Sequence, residues 1–507
     1  MQPLIGDIWT MEIVTTEMVA DYMRQAAKAR KEGREQSAIS LYQHVLQLDS
    51  SNVKVQQTLG DLFFRKGDYD LAKSSYIDSI KLSPDTANTY FQLGRIAEIQ
   101  ARTEEAIESY EYAIQLDPNN FKYYQSLGDI RFSQKDFAAA ADYYQKAIDL
   151  DTPAPWVRMK LGRIAQIQNR DDEAVALYQE ALSLNDKNAG FHAALGSVYL
   201  KQKRLEDADE AYKTVLSIDN NLQDAHLQRG RIAQMQGRDD EAIAFFERSA
   251  ELKPKDFRPH QFTGDIHFSQ KDSELAASSY QKALSLGSKA AAIPFRLGQI
   301  AQQQKEPDQA ISYFQTAISL NGNNPGFHVA LGNIYLSQGQ LEAATECCNA
   351  ALNIKEALPI AHFKLGQIAQ RQGKLDLAIE KHERAIALNN QNAQFYHHLA
   401  TAQLKKNELA RARNNYKQAL ALQPDFKAAQ NALDAMPEPD ISELEANVSF
   451  EKDDSSVHLS SRDVVAEPAQ PTEPKAAVEM QNQEVACSSQ IEDPKQGFFH
   501  RLSRLFS

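Results

Sequence analysis

A 34-residue period governs this chain. From Val19 to Phe426 the sequence lays out as twelve gapless units that begin at residues 19, 53, 87, 121, 155, 189, 223, 257, 291, 325, 359 and 393, numbered here as repeats 1 to 12. The eighth position is glycine in the ten internal repeats, from Gly60 to Gly366, and alanine in the terminal two, Ala26 and Ala400. The twentieth is alanine in all twelve, Ala38 through Ala412, and the twenty-fourth is Tyr or Phe in ten, Cys348 and His382 being the exceptions. A register this regular restricts the chain to stacked copies of one small unit, none of which can bury its apolar faces alone.

The unit reads as two antiparallel helices. In repeat 3, ANTYFQLGRIAEIQARTEEAIESYEYAIQLDPNN, the apolar residues Tyr90, Leu93, Ile96 and Ala97 recur at helical spacing, and Ala106, Ile107, Tyr110, Ala113 and Ile114 do the same in the second half. Thr103 is placed to cap the second helix, with Glu104 and Glu105 in the first turn at the positive end of the dipole. Pro118 ends that helix by keeping Asp117 out of helical dihedrals. Gly94 costs about 1 kcal/mol against Ala in a helix interior, so another helix is expected to cross there, with Ala106 as its small partner.

Outside the repeats the composition changes. Residues 1–18 form an N-terminal extension that is expected to cap the first repeat, and 427–435, with Ala428, Ala429, Ala432 and Leu433, a capping helix at the other end. Between Met436 and Asp493 there are 14 acidic and 3 basic residues, a local balance of −11 out of a net charge of −13, which leaves the repeats nearly neutral. This Pro-, Glu- and Ser-rich stretch, 436–494, cannot bury enough apolar area to offset its ordering entropy and is expected to be a disordered linker. The acidic balance argues against nucleic acid, and no run approaches the roughly 18 apolar residues of a membrane span. The N-terminus, MQPLIGDIWTMEIV, lacks the basic start and apolar core of a signal peptide, so a cytoplasmic protein is expected.

The period, the helix-turn-helix form and the L-G-x2-Y…A-x3-F…P pattern resemble the tetratricopeptide repeat family, although the closing proline stands only at Pro84, Pro118, Pro254 and Pro424. The resemblance covers about four-fifths of the chain. It implies an all-α, right-handed superhelical solenoid, here of twelve repeats followed by the disordered tail, in which the first helices line a groove and positions two, five, nine and twelve face it.

Those positions carry a pattern that the family motif does not require. Position nine reads Asp61, Arg95, Asp129, Arg163, Ser197, Arg231 and Asp265, then fades to Gln299, Asn333, Gln367 and Thr401. Position five is apolar in odd repeats, at Phe91, Met159, Leu227, Phe295 and Phe363, and position twelve in even ones, at Phe64, Phe132, Leu200 and Phe268. The effective period is therefore 68 residues. Two readings stand: the charges pair across neighbouring helices with the apolar residues packed between them, or the groove holds an extended or helical protein segment, with apolar anchors and alternating charges that set its register. Two known groove uses lack their residues. No repeat has the Lys at position five of a carboxylate clamp, and position six carries Thr58, Gln92, Ser126, Lys160 and Ala194 where an asparagine ladder needs Asn.

No catalytic motif is present: there is no P-loop, no GxSxG and no HExxH, and no cofactor, metal or small-molecule substrate is expected. His192, His226, His260, His328 and His362 share position four, but helices 8 to 10 Å apart cannot bring them to one ion, so they read as packing residues. Cys347, Cys348 and Cys487 are too few for a disulfide framework. The last segment, 495–507, places Phe498, Phe499, Leu502, Leu505 and Phe506 on one helical face and His500, Arg501, Ser503 and Arg504 on the other. It resembles the C-terminal membrane-targeting helices of bacterial cell-division ATPases, which implies docking on an anionic membrane; a protein groove would accept the same face, and a plain disordered end is the third reading. The chain is thus expected to be a non-enzymatic scaffold for protein partners, or else an accessory or substrate-recognition subunit of a separate enzyme such as a transferase.

Overall fold

The computed structural model describes residues 5–437, with side chains from Thr16 onward. Among the described residues every regular element is an α-helix, and the helices alternate as first and second members of the 34-residue repeats. The described chain divides into two compact units, one ending at Ile232 and the other starting at Ala233. Repeats 1 to 6 build the first as antiparallel pairs, among them Val53–Lys66 with Tyr69–Leu82, Ala87–Ile99 with Thr103–Leu116, and Phe121–Ser133 with Phe137–Asp149. Repeats 8 to 12 build the second in the same way, ending in Pro359–Arg371 with Leu375–Leu388, Ala393–Lys405 with Leu409–Leu422, and the short helix Lys427–Asp434. That last helix packs on Leu409–Leu422, and packing continues through Met436, which is buried beside Tyr416 and Ala429. The expected acidic linker beyond Pro437 and the amphipathic segment with Phe498, Phe499, Arg501, Leu502, Arg504, Leu505 and Phe506 lie outside the described residues. At the other end one helix, Ile5–Lys31, runs straight through Val19, so the residues before the first repeat continue its first helix.

The glycine at position eight makes room for an aromatic ring. A Cβ built on Gly94 would stand 2.5 Å from the Tyr110 ring, and one on Gly60, Gly128 or Gly264 only 2.5 to 2.7 Å from Tyr76, Tyr144 or Tyr280. The partner of Gly94 is therefore the position-24 ring and not the expected Ala106, although Ala106 is itself fully buried. Tyr76, Tyr110, Tyr144, Tyr178 and Tyr280 are at most 1% exposed, so each of these five hairpins is closed by one ring laid across a bare stretch of its first helix.

The turn inside each hairpin is made differently from the expectation. Thr103 is the first helical residue, Arg102 occupies the cap position, and no side chain caps the helix. The work falls to position fifteen, which is left-handed in all twelve repeats: φ is 73° to 87° at Gly33, Gly67, Gly237, Gly339 and Gly373, and 57° to 65° at Ala101, Lys135, Asn169, Lys203, Lys271, Lys305 and Asn407. The next amide then bonds five residues back, Arg102 N to Ala97 O at 2.8 Å and Asp136 N to Arg131 O at 2.9 Å, closing the first helix as a Schellman motif does. A Cβ in this region is strained by about 1 kcal/mol. Ala101→Gly is thus expected to raise the urea midpoint, by the equivalent of roughly 0.5 to 1 kcal/mol with an unchanged m-value; a lowered midpoint would contradict the assignment. Between repeats the second helix ends in extended backbone, as at Asp117 before Pro118. Repeats 4 and 8 differ, with a second left-handed residue there, Asp151 or Gly287.

Candidate functional site

The alternating charges at position nine turn out to serve the hairpin in which they stand. In repeats 2, 4 and 8 the position-24 tyrosine donates its hydroxyl to the position-nine carboxylate: Tyr76 to Asp61 at 2.6 Å, Tyr144 to Asp129 at 2.7 Å and Tyr280 to Asp265 at 2.7 Å. In repeats 3 and 5 position nine is Arg, and the hydroxyl turns to position twelve instead, Tyr110 to Glu98 at 2.9 Å and Tyr178 to Gln166 at 3.2 Å. From repeat 2 to repeat 5 the alternation is thus a swap of the acceptor one turn along the first helix, and where position twelve is not the acceptor, as at Phe64 and Phe132, it is free to be apolar. Burial raises the pKa values of these tyrosines, that of Tyr178 to about 12, so the rings stay protonated donors. Burial also raises the Asp265 carboxyl, opposed by the Tyr280 hydroxyl.

The arginines make other contacts. Arg95 stacks on the Phe64 ring at 4.5 Å and donates to Gln92 at 3.0 Å, and Arg231 donates to Gln228 at 2.9 Å. Arg163 is exposed and has no hydrogen bond or ion pair among the described residues. The cation that meets Asp129 is Lys160, at 2.7 Å, which also lies over the Trp156 ring.

The apolar set divides by exposure. Leu227 and Phe363 are 1% and 3% exposed, so neither offers a side chain to a partner in this structure; Phe363 is enclosed by Phe395, His382 and His398. Phe295 is half-buried between Phe314 and Phe327, and Phe132 and Phe64 rest edge-on against Phe137 and Tyr69. Phe268 lies under Arg296, and Met159 packs on the core of repeats 5 and 6. Phe91 is half-buried against Tyr110 and Tyr123 but keeps an open edge.

That edge belongs to a cavity of about 370 Å³ between the first helices of repeats 3, 4 and 5. Phe91, Phe121 and Trp156 give it aromatic walls, Arg95 and Lys122 give it positive charge, and Asn88, Gln92 and Gln125 supply amides. No carboxylate lines it. Such a surface holds an apolar or aromatic side chain with a carboxylate or main-chain carbonyl beside it. Of the residues singled out in the sequence, Phe91 and Arg95 are brought together here. Lys122 and Trp156, both at position two, were missed; position two was available as a groove-facing position, but it carries no alternation that would draw the eye.

The histidines at position four have a local task. His192, His226, His328 and His362 place Nε2 2.8 to 3.1 Å from the carbonyl oxygen six residues earlier, where Tyr124 puts its hydroxyl in repeat 4. Each therefore donates to the turn that joins its repeat to the one before. Among the described residues no group of three His, Cys, Asp or Glu is placed to hold a metal ion, and no helix is long and apolar enough to cross a membrane. Burial pushes the Cys347 and Cys348 thiols up to about 11 and about 12, which keeps them neutral.

Family models described as tetratricopeptide or TPR repeats match residues 58–121, 100–155, 167–203, 199–266, 295–324, 313–346, 332–373, 361–394 and 393–426. No curated protein matches the chain. Among solved structures, YrrB, described as a TPR protein with an unusual peptide-binding site, is 22% identical, with 37% of this chain and 96% of that one covered and a TM-score of 0.33. The APC/C hetero-tetramer Cut9–Hcn1 is 14% identical over 81% of this chain and 94% of that one, with a TM-score of 0.37. MamA protein is 26% identical over 34% of this chain and 94% of that one, with a TM-score of 0.32.

Proposed function

From the premise that this chain belongs to the tetratricopeptide repeat family, we propose that it is a protein-interaction scaffold whose first-helix face binds an extended or helical segment of a protein partner, with repeats 3 to 5 as the anchoring site. The observation that carries this reading is the cavity between Phe91, Phe121 and Trp156, open to solvent, positively charged and free of carboxylates. Packing accounts for the inner sides of Phe91 and Arg95, but not for the exposed Lys122 beside them with no carboxylate in the lining. The neighbouring Asp61 and Asp129 show that the chain supplies an acceptor where one of its own donors needs it. A partner segment with an aromatic or large aliphatic residue next to an acidic one fits both parts of the cavity. The aromatic walls would supply most of the affinity and the charges its orientation. Arg163, exposed and unpaired on the same face in repeat 5, extends the positive surface.

The test is a double variant, Trp156→Ser with Lys122→Glu, in the full chain. Lys122 is exposed and Trp156 half-buried at the edge of the Tyr124, Tyr144 and Val157 core, so the melting temperature should fall by no more than a few degrees, about 1 to 2 kcal/mol. Polypeptides captured by the parent chain should be held at least about tenfold more weakly. Undiminished capture at an unchanged melting temperature would overturn the reading.

A further inference from the structure

Three repeats place a cation at position six against position nine of the repeat before. Lys160 donates to the Asp129 carboxylate at 2.7 Å, and Arg296 lies where the Asp265 carboxylate acts on it through space. In repeat 11 the geometry is the same and the charge is not: Lys364 donates to the Asn333 amide oxygen, also at 2.7 Å. The acid has become an amide, and nothing replaces its charge. Arg371, about two turns further along the same face of the helix, gives its guanidinium to the main-chain oxygen of Leu336, again a neutral acceptor. The other polar groups nearby are His398, joined to Gln367 at 3.3 Å, and the Cys348 thiol, both neutral. Half-buried Lys364 and exposed Arg371 thus form a pair of cations with no carboxylate in ion-pair contact among the described residues. Burial and the neighbouring Arg371 both push the Lys364 ammonium down from its ordinary pKa, which marks a site that an arriving anion would relieve.

The same unit leads directly into an anionic segment. Its last helix, Lys427–Asp434, is followed by Met436, buried in the core, and Arg413 holds the carbonyl of Pro437 where the chain leaves. The next seventeen residues, 438–454, carry seven carboxylates, at Glu438, Asp440, Glu443, Glu445, Glu451, Asp453 and Asp454, against Lys452 alone. Extended, seventeen residues span up to about 56 Å, whereas repeat 11 stands only one hairpin before the last. We propose that residues 438–454 dock in cis on the Lys364 and Arg371 face of repeats 10 to 12, setting carboxylates of the same chain on the two cations that the repeats leave without a counterion.

Covalent attachment is what favours this occupant over another acidic chain. A short tether holds the segment at an effective concentration of about 1 mM, so even a millimolar contact is half-filled, and a competitor must bind more tightly to displace it. The proposal stands apart from the cavity of repeats 3 to 5, and either can fail without the other.

The test uses a fluorescent peptide of residues 438–454 added to full-length chains. One chain is the parent, one has every acid of 438–454 changed to its amide, and a third adds Lys364→Gln and Arg371→Gln to the second. The glutamines keep a donor for Asn333 and Leu336, and the amide changes lie outside the packed repeats. The amide-tailed chain should bind the peptide with a dissociation constant of about 0.1 mM or below, the parent at least about tenfold more weakly because an effective concentration of about 1 mM then fills its site, and the third chain no better than the parent. Binding should vanish in about 1 M salt, where the screening length is about 3 Å. Equal binding by parent and amide-tailed chain would mean that the site serves an acidic segment in trans, and no binding by either that it serves none. Each of these results overturns the proposal, as does undiminished binding by the third chain.

Discussion

Gly94→Ala is expected to destabilise the chain by up to about 2 kcal/mol, although it places the best helix-former in the middle of a helix. The new Cβ would stand 2.5 Å from Cε1 and 2.6 Å from Cδ1 of Tyr110, a ring that is fully buried and tied to Glu98 through its hydroxyl. To yield, the ring must leave its hydrogen bond or push the two helices apart. Overpacking of this kind costs about 1 to 3 kcal/mol, against about 1 kcal/mol gained in helix propensity. The chain contains its own control. In repeat 10 the position-24 residue is Cys348, and a Cβ on Gly332 meets Cys347 Cβ at 3.1 Å, Ala344 O at 3.3 Å and Cys348 Sγ at 3.4 Å. Gly332→Ala is therefore expected to change stability by less than about 0.5 kcal/mol, the propensity gain offsetting a slight tightening. Urea titrations of both variants decide the matter. Equal losses would mean that the glycine answers to backbone conformation and not to the ring.

The second large effect concerns acid. His382 fills the aromatic position of repeat 11 with both ring nitrogens buried and unpartnered, and burial beside His398 lowers its pKa to about 3. Burial, with His397 and Lys364 nearby, lowers that of His398 to about 4. Both rings are neutral in the folded chain, whereas in the unfolded chain they titrate near 6.5. Above that pH neither state binds a proton and nothing is lost. As the pH falls from 6.5 towards 4, the unfolded state takes up protons that the folded state refuses. Each ring then removes up to about 1.4 kcal/mol of stability per pH unit. His382→Phe should stabilise the chain at pH 7 by about 1 to 2 kcal/mol, because two unsatisfied buried nitrogens disappear. It should also make the loss between pH 6 and 4 clearly shallower. Phe314 shows that a phenyl ring fits against the glycine at this place in the hairpin. An unchanged dependence on pH would place the acid-sensitive groups elsewhere.

The hairpin array was legible because Gly94, Ala106 and Tyr110 report a close helix crossing wherever they recur. The turn was not, since only five of its twelve left-handed residues are glycine, and Lys135 or Asn169 at such a position looks like ordinary surface. The alternation of Asp129 with Arg163 was visible, but its meaning was not. A period shows that residues share a task, not whether they perform it for a partner or for a tyrosine fifteen residues along the same hairpin. The candidate site followed the same rule: Phe91 and Arg95 stood out by rhythm, while Trp156 and Lys122, which complete the cavity, belong to no rhythm at all.

The most direct test of the scaffold reading is site-specific photocross-linking with the full chain in its native lysate. A photoreactive phenylalanine derivative replaces Trp156 in one chain and Leu184 in another. Leu184 is 49% exposed on the second helix of the same repeat, away from the cavity. The account predicts a discrete cross-linked polypeptide from position 156 that is absent from position 184 and is lost when Lys122→Glu is added. Equal cross-linking from both positions, or none from position 156, would contradict it.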